Sequence, residues 1–452
     1  MCTKVWVQKE LHGKMRRNGR MKKIRIGVMG AYRGTSMINY CKAADNAEIV
    51  AICDKWEEGL ERQKAQNQGL DITYYTNFEE FIRHDMDAVV LANYANEHAP
   101  FAIKAMKAGK HVFSEVLPVQ HLKEAVELAE TVEETGMVYA YGENYCYMPA
   151  PYEMRRLYRE GKIGEFEYGE GEYVHNCESI WPSITYGDET HWRNNMFSTF
   201  YCTHSLGPLI HITGLRPVSV TGFEGHKNER GLRCGKKGGQ FGIEMVELEN
   251  GGIIKSIHGE LYRNSIWYSV YGSKGRMESA REDAGLEDTG RIYVNADAYS
   301  GEYGKEQIDS YLPHRKLDHL CEVFGHGGSD FYSIWNFVEK LRGNEEADII
   351  DVYEALDMGL TGLCAYRSIL KGGVPVEIPN LRDKAVRELY RHDMACTDPK
   401  AAGEMLLPTM SNGTPEIPAE IYELMKQKWL QDLHSDSGYT NAAFTQGSKK
   451  EE

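Results

Sequence analysis

Residues 23–34 read Lys-Ile-Arg-Ile-Gly-Val-Met-Gly-Ala-Tyr-Arg-Gly, a short apolar run that ends in a glycine-rich turn. Residues 23–29 suit a buried strand, and the stretch after residue 34 suits a helix. At such a junction, glycines let the backbone approach a pyrophosphate, and the helix N-terminus supplies positive potential. The pattern predicts a dinucleotide-binding turn that includes Gly30, Tyr32, Arg33 and Gly34, although a middle glycine of the standard motif is missing.

Strands and helices alternate from this turn to about residue 142. We predict strands at 48–53, 73–75, 88–92, 111–113 and 138–141, with helices at about 55–68, 77–84, 98–108 and 121–135. This rhythm indicates an α/β fold whose first domain is a doubly wound parallel sheet of the Rossmann type over residues 21–142.

Asp54 closes the second predicted strand. A carboxylate at this place hydrogen-bonds the ribose hydroxyls of a dinucleotide and repels a 2′-phosphate, which favours NAD over NADP. The alternative is an ordinary turn with an Asp near the start of a helix. With the glycine turn, Asp54 predicts that the cofactor is NAD.

The pattern changes after residue 143. Segments 164–175, 217–224, 241–248, 252–262 and 266–271 are rich in Tyr, Glu and Gly and predict a largely antiparallel open sheet. Helices are predicted again at 330–342, 352–371 and 418–432. We therefore expect an N-terminal extension (1–20), an NAD-binding domain (21–143), an α+β substrate and oligomerisation domain (144–379) and a C-terminal extension (380–452), disordered from about residue 435.

Composition excludes several classes of function. The chain has 452 residues and a net charge of −15, which argues against binding nucleic acid. It contains no apolar run of the ~20 residues that span a bilayer, and no apolar segment follows the basic N-terminus as in a secretory signal. The 10 cysteines are scattered without zinc-like spacing, which predicts reduced thiols in a cytoplasmic protein.

A phenol and an imidazole stand three residues apart in Tyr201-Cys202-Thr203-His204. This spacing is about one helical turn, so both side chains can project from one face of a helix. Such a pair can take and return protons near neutral pH if its surroundings tune it. A chance pairing in a packed region is the alternative.

Several motifs along the chain form an ordered series, and the stretch from Tyr201 to His204 is one of them. They are Ala92-Asn93-Tyr94 with Glu97-His98, Ser114-Glu115-Val116, Gly142-Glu143-Asn144-Tyr145, Gly171-Glu172-Tyr173-Val174-His175, Tyr201 to His204 with Gly207-Pro208, and Gly325-His326-Gly327-Gly328. Together they resemble the Gfo/Idh/MocA oxidoreductases, and within them the NAD-dependent glycosidases typified by bacterial α-N-acetylgalactosaminidases. The resemblance implies an N-terminal Rossmann domain and a C-terminal open sheet that often mediates oligomerisation.

At one place the chain departs from the pattern of the dehydrogenases of that family. They carry Glu-Lys-Pro where this chain has Glu115-Val116-Leu117. Val116 cannot handle a proton as the lysine does. The glycosidases of the family also lack this lysine, so its absence favours them over a simple dehydrogenase.

The resemblance implies a chemical route and roles for named residues. NAD+ oxidises the sugar at C3, the ketone acidifies the C2 hydrogen, the aglycone leaves from C1, water adds, and C3 is reduced again. Glu143 and Tyr173 would manage the C3 hydroxyl, Tyr201 would act on the C2 hydrogen, and His204 would protonate the departing oxygen. A phenol with a pKa of ~10 is a poor base at pH 7, so Tyr201 requires a nearby cation or donor.

The resemblance also implies contacts to the ligands. Asn93, His98 and Glu115 would contact the cofactor, and Asn144 would contact the sugar. Independently of the resemblance, Trp192 and Arg193 can form a sugar platform because aromatic faces stack on pyranose rings, and His326 stands among glycines that permit close approach of a substrate. Structural roles are the alternatives: capping by Glu143, packing by Tyr173, a satisfied His204, a structural His98 and loop packing by Trp192 and Arg193. No metal site is predicted, since the nearest cluster, His175-Asn176-Cys177, lacks convincing spacing.

Three functions remain open at this point. The first is a redox-neutral glycosidase that uses NAD; the second is a glycoside 3-dehydrogenase that releases a 3-keto glycoside; the third is a non-enzymic regulator that binds NAD and a sugar. The sugar, its anomer and the aglycone are not determined by the sequence. A Tyr-rich open sheet predicts a homo-oligomer, either a dimer or a tetramer.

Overall fold

The computed structural model describes residues 23–281, 290–297, 306–321 and 324–434. The predicted extension over 1–20 and the predicted disorder from about residue 435 lie outside these ranges. The described residues form two compact units. The first unit comprises the described residues up to 118, together with 127–142 and 330–352. The second unit comprises 119–126 and the described residues of 143–329 and from 353 onward.

The first unit is built on a parallel sheet of six strands in the order β3-β2-β1-β4-β5-β6. The strands are β1 (Ile24–Met29), β2 (Ala47–Cys53), β3 (Thr73–Tyr75), β4 (Ala88–Leu91), β5 (His111–Ser114) and β6 (Tyr139–Tyr141). The helices in this part of the chain are α1 (Thr35–Ala43), α2 (Glu57–Gln66), α3 (Phe78–Phe81), α4 (His98–Lys107) and α5 (Leu122–Thr135). The predicted doubly wound sheet is confirmed.

The strands of this sheet are buried because helices cover both faces of such a sheet. All four residues of β4 are buried, as are Ile26 and Val28 of β1. Burying a Val or Leu side chain fully stabilises the fold by about 1.5–3 kcal/mol. The order of the strands reverses between β1 and β4, and ligands of open α/β sheets bind outside the carboxyl ends of the strands at such a point.

The second unit contains a sheet of nine strands in the order β14-β13-β12-β11-β7-β10-β9-β8-β15. The strands are β7 (Phe166–Val174), β8 (Pro217–Glu224), β9 (Phe241–Leu248), β10 (Ile253–Gly259), β11 (Ser265–Gly272), β12 (Gly275–Ser279), β13 (Ile292–Asp297), β14 (Glu306–Tyr311) and β15 (Val376–Glu377). Only β7 and β10 pair in parallel among the described strands of this sheet. The predicted, mostly antiparallel open sheet is confirmed.

The remaining helices follow β6 in the chain. They are α6 (Pro149–Arg159), α7 (Trp181–Thr185), α8 (Trp192–Asn195), α9 (Thr203–Thr213), α10 (Glu229–Leu232), α11 (Ser329–Leu341), α12 (Val352–Leu370), α13 (Lys384–Tyr390), α14 (Pro399–Ala402) and α15 (Ala419–His434). Helix α6 was not predicted; it begins at Pro149, which is well tolerated in the first turn of a helix.

Helix α9 lies directly on one face of the nine-stranded sheet. A Cβ on Gly171 of β7 would lie 1.9 Å from the carbonyl oxygen of Ser205, so a glycine is required for this close approach. The Ser205 hydroxyl lies 2.8 Å from that of Ser256 on β10, and the Tyr268 hydroxyl donates to the carbonyl of His204 over 2.5 Å. These contacts fix the helix that carries His204.

Candidate functional site

The glycine turn after β1 has the backbone shape that a dinucleotide requires. Gly30 adopts a φ of 111°, and a Cβ there would lie 2.4 Å from the carbonyl oxygen of Ala92 after β4. A Cβ on Gly34 would lie 2.3 Å from the carbonyl oxygen of Gly30. Helix α1 begins next, at Thr35. The two glycines therefore form a tight turn at the switch point of the sheet, where a phosphate can meet backbone N–H groups.

Asp54 lies at the end of β2 and holds this turn. Its carboxylate accepts hydrogen bonds from the backbone N–H of Ala31 at 2.7 Å and of Trp56 at 2.9 Å. Gln63 supports the same turn because its amide donates to the carbonyl of Ala31 at 2.7 Å. Asp54 is thus placed beside the turn, as predicted, while its contact with a ribose stays a prediction.

Arg33 is the centre of an ionic cluster within the first unit. Its guanidinium lies 2.7 Å from Glu115 and 3.1 Å from Asp330, and the Ser36 hydroxyl also donates to Asp330. Both carboxylates are buried. Tyr32, the neighbour of Arg33 in the turn, is half-buried. Cofactor contacts were predicted for both Arg33 and Glu115, but nothing in the sequence indicated that the two residues pair with each other.

Asn93 and His98 follow β4. The Asn93 amide donates to Glu97 at 3.0 Å, while its own oxygen is buried without a hydrogen-bond partner. Burial lowers the pKa of His98 to about 4, so the neutral ring donates from Nδ1 to the carbonyl of Leu117 at 3.0 Å. A buried oxygen without a donor and the glycine cradle both fit a bound dinucleotide, whose hydroxyl or amide groups can supply the donor.

The second unit brings Glu143 and His204 into direct contact. The Glu143 carboxylate lies 2.6 Å from Nδ1 of His204 and is fully buried. Its other oxygen has no hydrogen-bond partner. Gly207, one turn further along α9, leaves room for this carboxylate, since a Cβ there would lie 3.0 Å from Cγ of Glu143. With Nδ1 occupied, Nε2 is the nitrogen of His204 that can meet a substrate.

Aromatic rings surround His204. The ring centres of Tyr173 and Tyr201 lie 4.7 and 5.0 Å from that of His204. Tyr145 lies 4.4 Å from the same ring. The four residues to which the resemblance assigns catalysis, Glu143, Tyr173, Tyr201 and His204, therefore lie together in the second unit. Their roles stay predictions.

The spacing predicted that Tyr201 and His204 lie on one helix, and this prediction is wrong. Helix α9 begins at Thr203, so Tyr201 belongs to the turn that precedes it. The two side chains still meet because this turn packs against Trp192: the rings of Trp192 and Tyr201 are 6.1 Å apart and nearly parallel, at 24°.

Arg193 supplies the cation that Tyr201 requires. Its guanidinium lies 4.3 Å from the centre of the Trp192 ring and 5.2 Å from that of Tyr201, and its side chain also hydrogen-bonds Tyr201. Burial opposes the charge of Arg193, but the combined interactions with Tyr201, Cys177 and Tyr173 outweigh it and raise the pKa of Arg193. The guanidinium therefore stays positive beside the phenol.

Tyr173 contacts His175, a histidine of the same sequence motif for which no role was predicted. The Tyr173 hydroxyl lies 3.2 Å from Nδ1 of His175. Burial lowers the pKa of His175 to about 4, aided by the nearby His326, His204 and Arg193. Burial also raises the pKa of Tyr173 well above its usual range. At neutral pH both groups are therefore uncharged and share one hydrogen bond.

Asn144 and His326 have different surroundings. Asn144 is buried in the turn that follows Glu143. His326 adopts a φ of 56°, which is uncommon for a residue other than glycine. Its ring lies 5.9 Å from that of Tyr145, which in turn contacts His204. His326 therefore borders the aromatic cluster around His204. Tyr145, for which no role was predicted, forms part of this cluster.

The described ranges of the chain contain no group of three or more His, Cys, Asp or Glu side chains that could hold a metal ion. No helix among them has the length and apolar character needed to cross a membrane.

Comparisons with known protein families match both parts of the chain. Residues 24–143 match the Gfo/Idh/MocA family, described as an oxidoreductase family with an NAD-binding Rossmann fold. Residues 224–386 match the C-terminal domain of glycosyl hydrolase family 109. The resemblance, the Rossmann fold and NAD as the cofactor, all predicted from the sequence, are confirmed.

Relatives of similar length are found among curated proteins. A glycosyl hydrolase family 109 protein of Solibacter usitatus is 27% identical over 400 residues, which cover 79% of this chain and 88% of the relative. An alpha-N-acetylgalactosaminidase of Shewanella oneidensis is 25% identical, with 80% and 85% covered.

Among solved structures, a levoglucosan dehydrogenase in complex with NADH has a TM-score of 0.64 at 16% identity, with 79% of this chain and all of that one covered. The WlbA dehydrogenase of Bordetella pertussis has a TM-score of 0.62 at 19% identity, with 80% of this chain and 99% of that one covered. Likeness at this identity confirms the fold.

Proposed function

We propose that this chain, an NAD-dependent enzyme with an NAD-binding domain of the Gfo/Idh/MocA oxidoreductases and a C-terminal domain of glycosyl hydrolase family 109, cleaves glycosides by a redox-neutral route. The observation that supports this most strongly is the cluster of Glu143, Tyr173 and Tyr201 around His204. A protein that only senses a sugar has no need of such proton-transfer groups.

Bound NAD+ would accept a hydride from C3 of the sugar and return it at the end of the cycle. Glu143 would take the proton of the C3 hydroxyl as the ketone forms, and the uncharged Tyr173 would hold the same oxygen. The ketone acidifies the C2 hydrogen, which Tyr201 removes as a proton beside the positive Arg193. The C1–O bond then breaks, and the departing oxygen takes a proton from Nε2 of His204.

Water completes the reaction by adding across the C1–C2 double bond. Its hydroxyl goes to C1 and its proton to C2, after which C3 is reduced. The net change is hydrolysis, with no net oxidation. Such a route avoids the carboxylate pair of ordinary glycosidases. The role of Glu143 as the partner of Nδ1 also fixes which nitrogen of His204 carries the transferable proton.

An incubation with chromogenic substrates tests this function. Purified protein receives nitrophenyl glycosides, beginning with the N-acetyl-α-galactosaminide because a 25% identical relative bears that activity in its name. Release of nitrophenol is followed with and without added NAD+, together with the absorbance of NADH. Nitrophenol without net NADH supports the proposal. Stoichiometric NADH with an intact 3-keto glycoside would instead assign a glycoside 3-dehydrogenase, and binding without either product a regulator.

We further propose that the chain forms a homo-oligomer and works in the cytoplasm. The face of the nine-stranded sheet opposite α9 exposes Phe223, Tyr271, Tyr293 and Ile308, which is the kind of apolar surface that association covers. The nine cysteines among the described residues form no disulfide, as expected of a reducing compartment. Sedimentation of the wild type and of a Phe223→Lys variant would test the first point, and cell fractionation the second.

A further inference from the structure

The C-terminal helix α15 packs on the loop of residues 186–191, which leads directly into the short helix α8 that carries Trp192 and Arg193. A Cβ on Gly187 of this loop would lie 2.4 Å from both the backbone N of Lys426 and the carbonyl oxygen of Tyr422. The Tyr422 hydroxyl donates to the carbonyl of Gly235 at 2.9 Å. Helix and loop thus meet backbone to backbone within the second unit. The family match ends at residue 386, before this helix.

A continuous series of ring contacts leads from α15 to Tyr201. The Trp429 ring lies 5.1 Å from that of Tyr186, which lies 5.8 Å from that of His191. His191 stacks on Trp192 at 5.9 Å, and Trp192 stacks on Tyr201 at 6.1 Å. Because close-packed side chains transmit strain, a displacement of Trp429 would be passed along this series towards Trp192.

The loop has a backbone conformation that needs support. Tyr186 adopts a φ of 59°, a strained region for a residue other than glycine, and Gly187 follows with a φ of 66°. Such strain persists only where the surroundings hold it. The surroundings here are the ring of Trp429 against Tyr186 and the backbone of α15 against Gly187.

We propose that α15 is a positioning element of the substrate site, with Trp429 as the residue that holds the loop so that Trp192 and Arg193 stay on Tyr201. This inference rests on the proposed function for its effect on turnover. Its effect on the loop does not depend on that function.

Trp429 offers a matched set of variants. Its buried indole N–H has no hydrogen-bond partner, so the side chain contributes a ring surface and no polar contact. Trp429→Phe keeps an aromatic ring, whereas Trp429→Ala removes it. Leu424→Ala is the control, because Leu424 lies on the same helix and its side chain is largely exposed.

The test combines turnover, cofactor affinity and hydrogen–deuterium exchange of the full chain. For Trp429→Ala we expect kcat/KM on the aryl glycoside to fall about tenfold, since small misplacements of positioning groups carry losses of this size. Exchange should rise in peptides covering residues 186–195, while the Kd of NAD+ stays unchanged. Trp429→Phe should recover most of the loss, and Leu424→Ala should equal the wild type.

Three outcomes would overturn the inference: unchanged exchange and turnover in Trp429→Ala, a parallel loss of NAD+ affinity that indicates general destabilisation, or an equal effect of Leu424→Ala. Should the wild type cleave no glycoside, the proposed function fails, and the exchange measurement still decides whether α15 holds the loop.

Discussion

The guanidinium of Arg193 lies 5.2 Å from the centre of the Tyr201 ring and hydrogen-bonds the same side chain. A positive charge beside a phenol favours the phenolate, which is the form able to remove a proton from carbon. We therefore propose a second role for Arg193 besides the predicted contact with the sugar, namely to favour the phenolate of Tyr201.

Replacing Arg193 tests this assignment. Arg193→Met should lower kcat by roughly 10²-fold or more, the size of a lost general base, because the phenolate loses its cation. Exchange of the C2 hydrogen of the bound sugar with deuterated water should slow equally. Arg193→Lys should retain part of both. Arg233→Met is the control, since Arg233 is exposed and pairs with Glu178. Normal exchange at C2 in Arg193→Met would contradict the role.

His204→Gln should affect substrates according to their leaving groups. A good leaving group such as nitrophenol departs without protonation, whereas an alkyl alcohol needs a general acid. We expect a loss of about 10²–10⁴-fold on alkyl glycosides and a much smaller loss on nitrophenyl glycosides. The ratio of kcat/KM for the two classes measures this. Equal losses on both would remove His204 from that role.

Gly207→Ala should separate Glu143 from His204 without removing either side chain. The added methyl group would lie 3.0 Å from Cγ of Glu143 and 3.1 Å from the sulfur of Met358. Because Glu143 is fully buried, we expect its displacement to lower kcat by at least about tenfold with unchanged NAD+ affinity. The double variant with Met358→Ala distinguishes the two contacts. Recovery of activity in it would show that Met358, not Glu143, is responsible.

The stability of the protein should fall on mild acidification. Burial lowers the pKa of His98, His111, His121 and His175 to about 4 from an ordinary value of 6.5. Between these values the unfolded chain binds more protons than the folded chain. The stabilisation is therefore complete above pH 6.5 and is lost as the pH falls towards 4, by up to about 1.4 kcal/mol per pH unit for each histidine.

Urea unfolding at pH 7.5, 6.5 and 5.5 measures this dependence. In the wild type, Nδ1 of His111 accepts a hydrogen bond from the N–H of Val138 at 2.9 Å. His111→Asn keeps an acceptor for this N–H and should reduce the slope by up to one proton, most at pH 5.5. His226→Asn changes an exposed histidine and serves as the control. A slope unchanged by His111→Asn would show that this residue is not the source.

The first sheet could be predicted from the sequence because its strands are continuous apolar runs separated by amphipathic helices. Strand β14 could not, since Glu306–Tyr311 is polar and largely exposed and shows no apolar alternation. Strand β12 is short and follows β11 after a turn of two residues, which left no separate signal.

The members of the candidate site could be named from motifs, while their contacts could not. Arg193 and Tyr201 meet through packing of a loop, and no spacing rule connects them. Tyr145 and His175 lay inside quoted motifs next to Asn144 and Tyr173; their nearness to assigned residues was the only signal that could have identified them. The support of the loop by Trp429 depends on a contact between residues far apart in the chain.

The most direct test of the account is the distribution of deuterium after cleavage in heavy water. The proposed route removes the C2 hydrogen as a proton and returns the same hydride to C3. The released sugar should therefore carry deuterium bound to carbon at C2 and none at C3. Mass spectrometry and NMR of the product measure this. Cleavage without deuterium at C2 would contradict the account, because direct displacement at C1 leaves that hydrogen untouched.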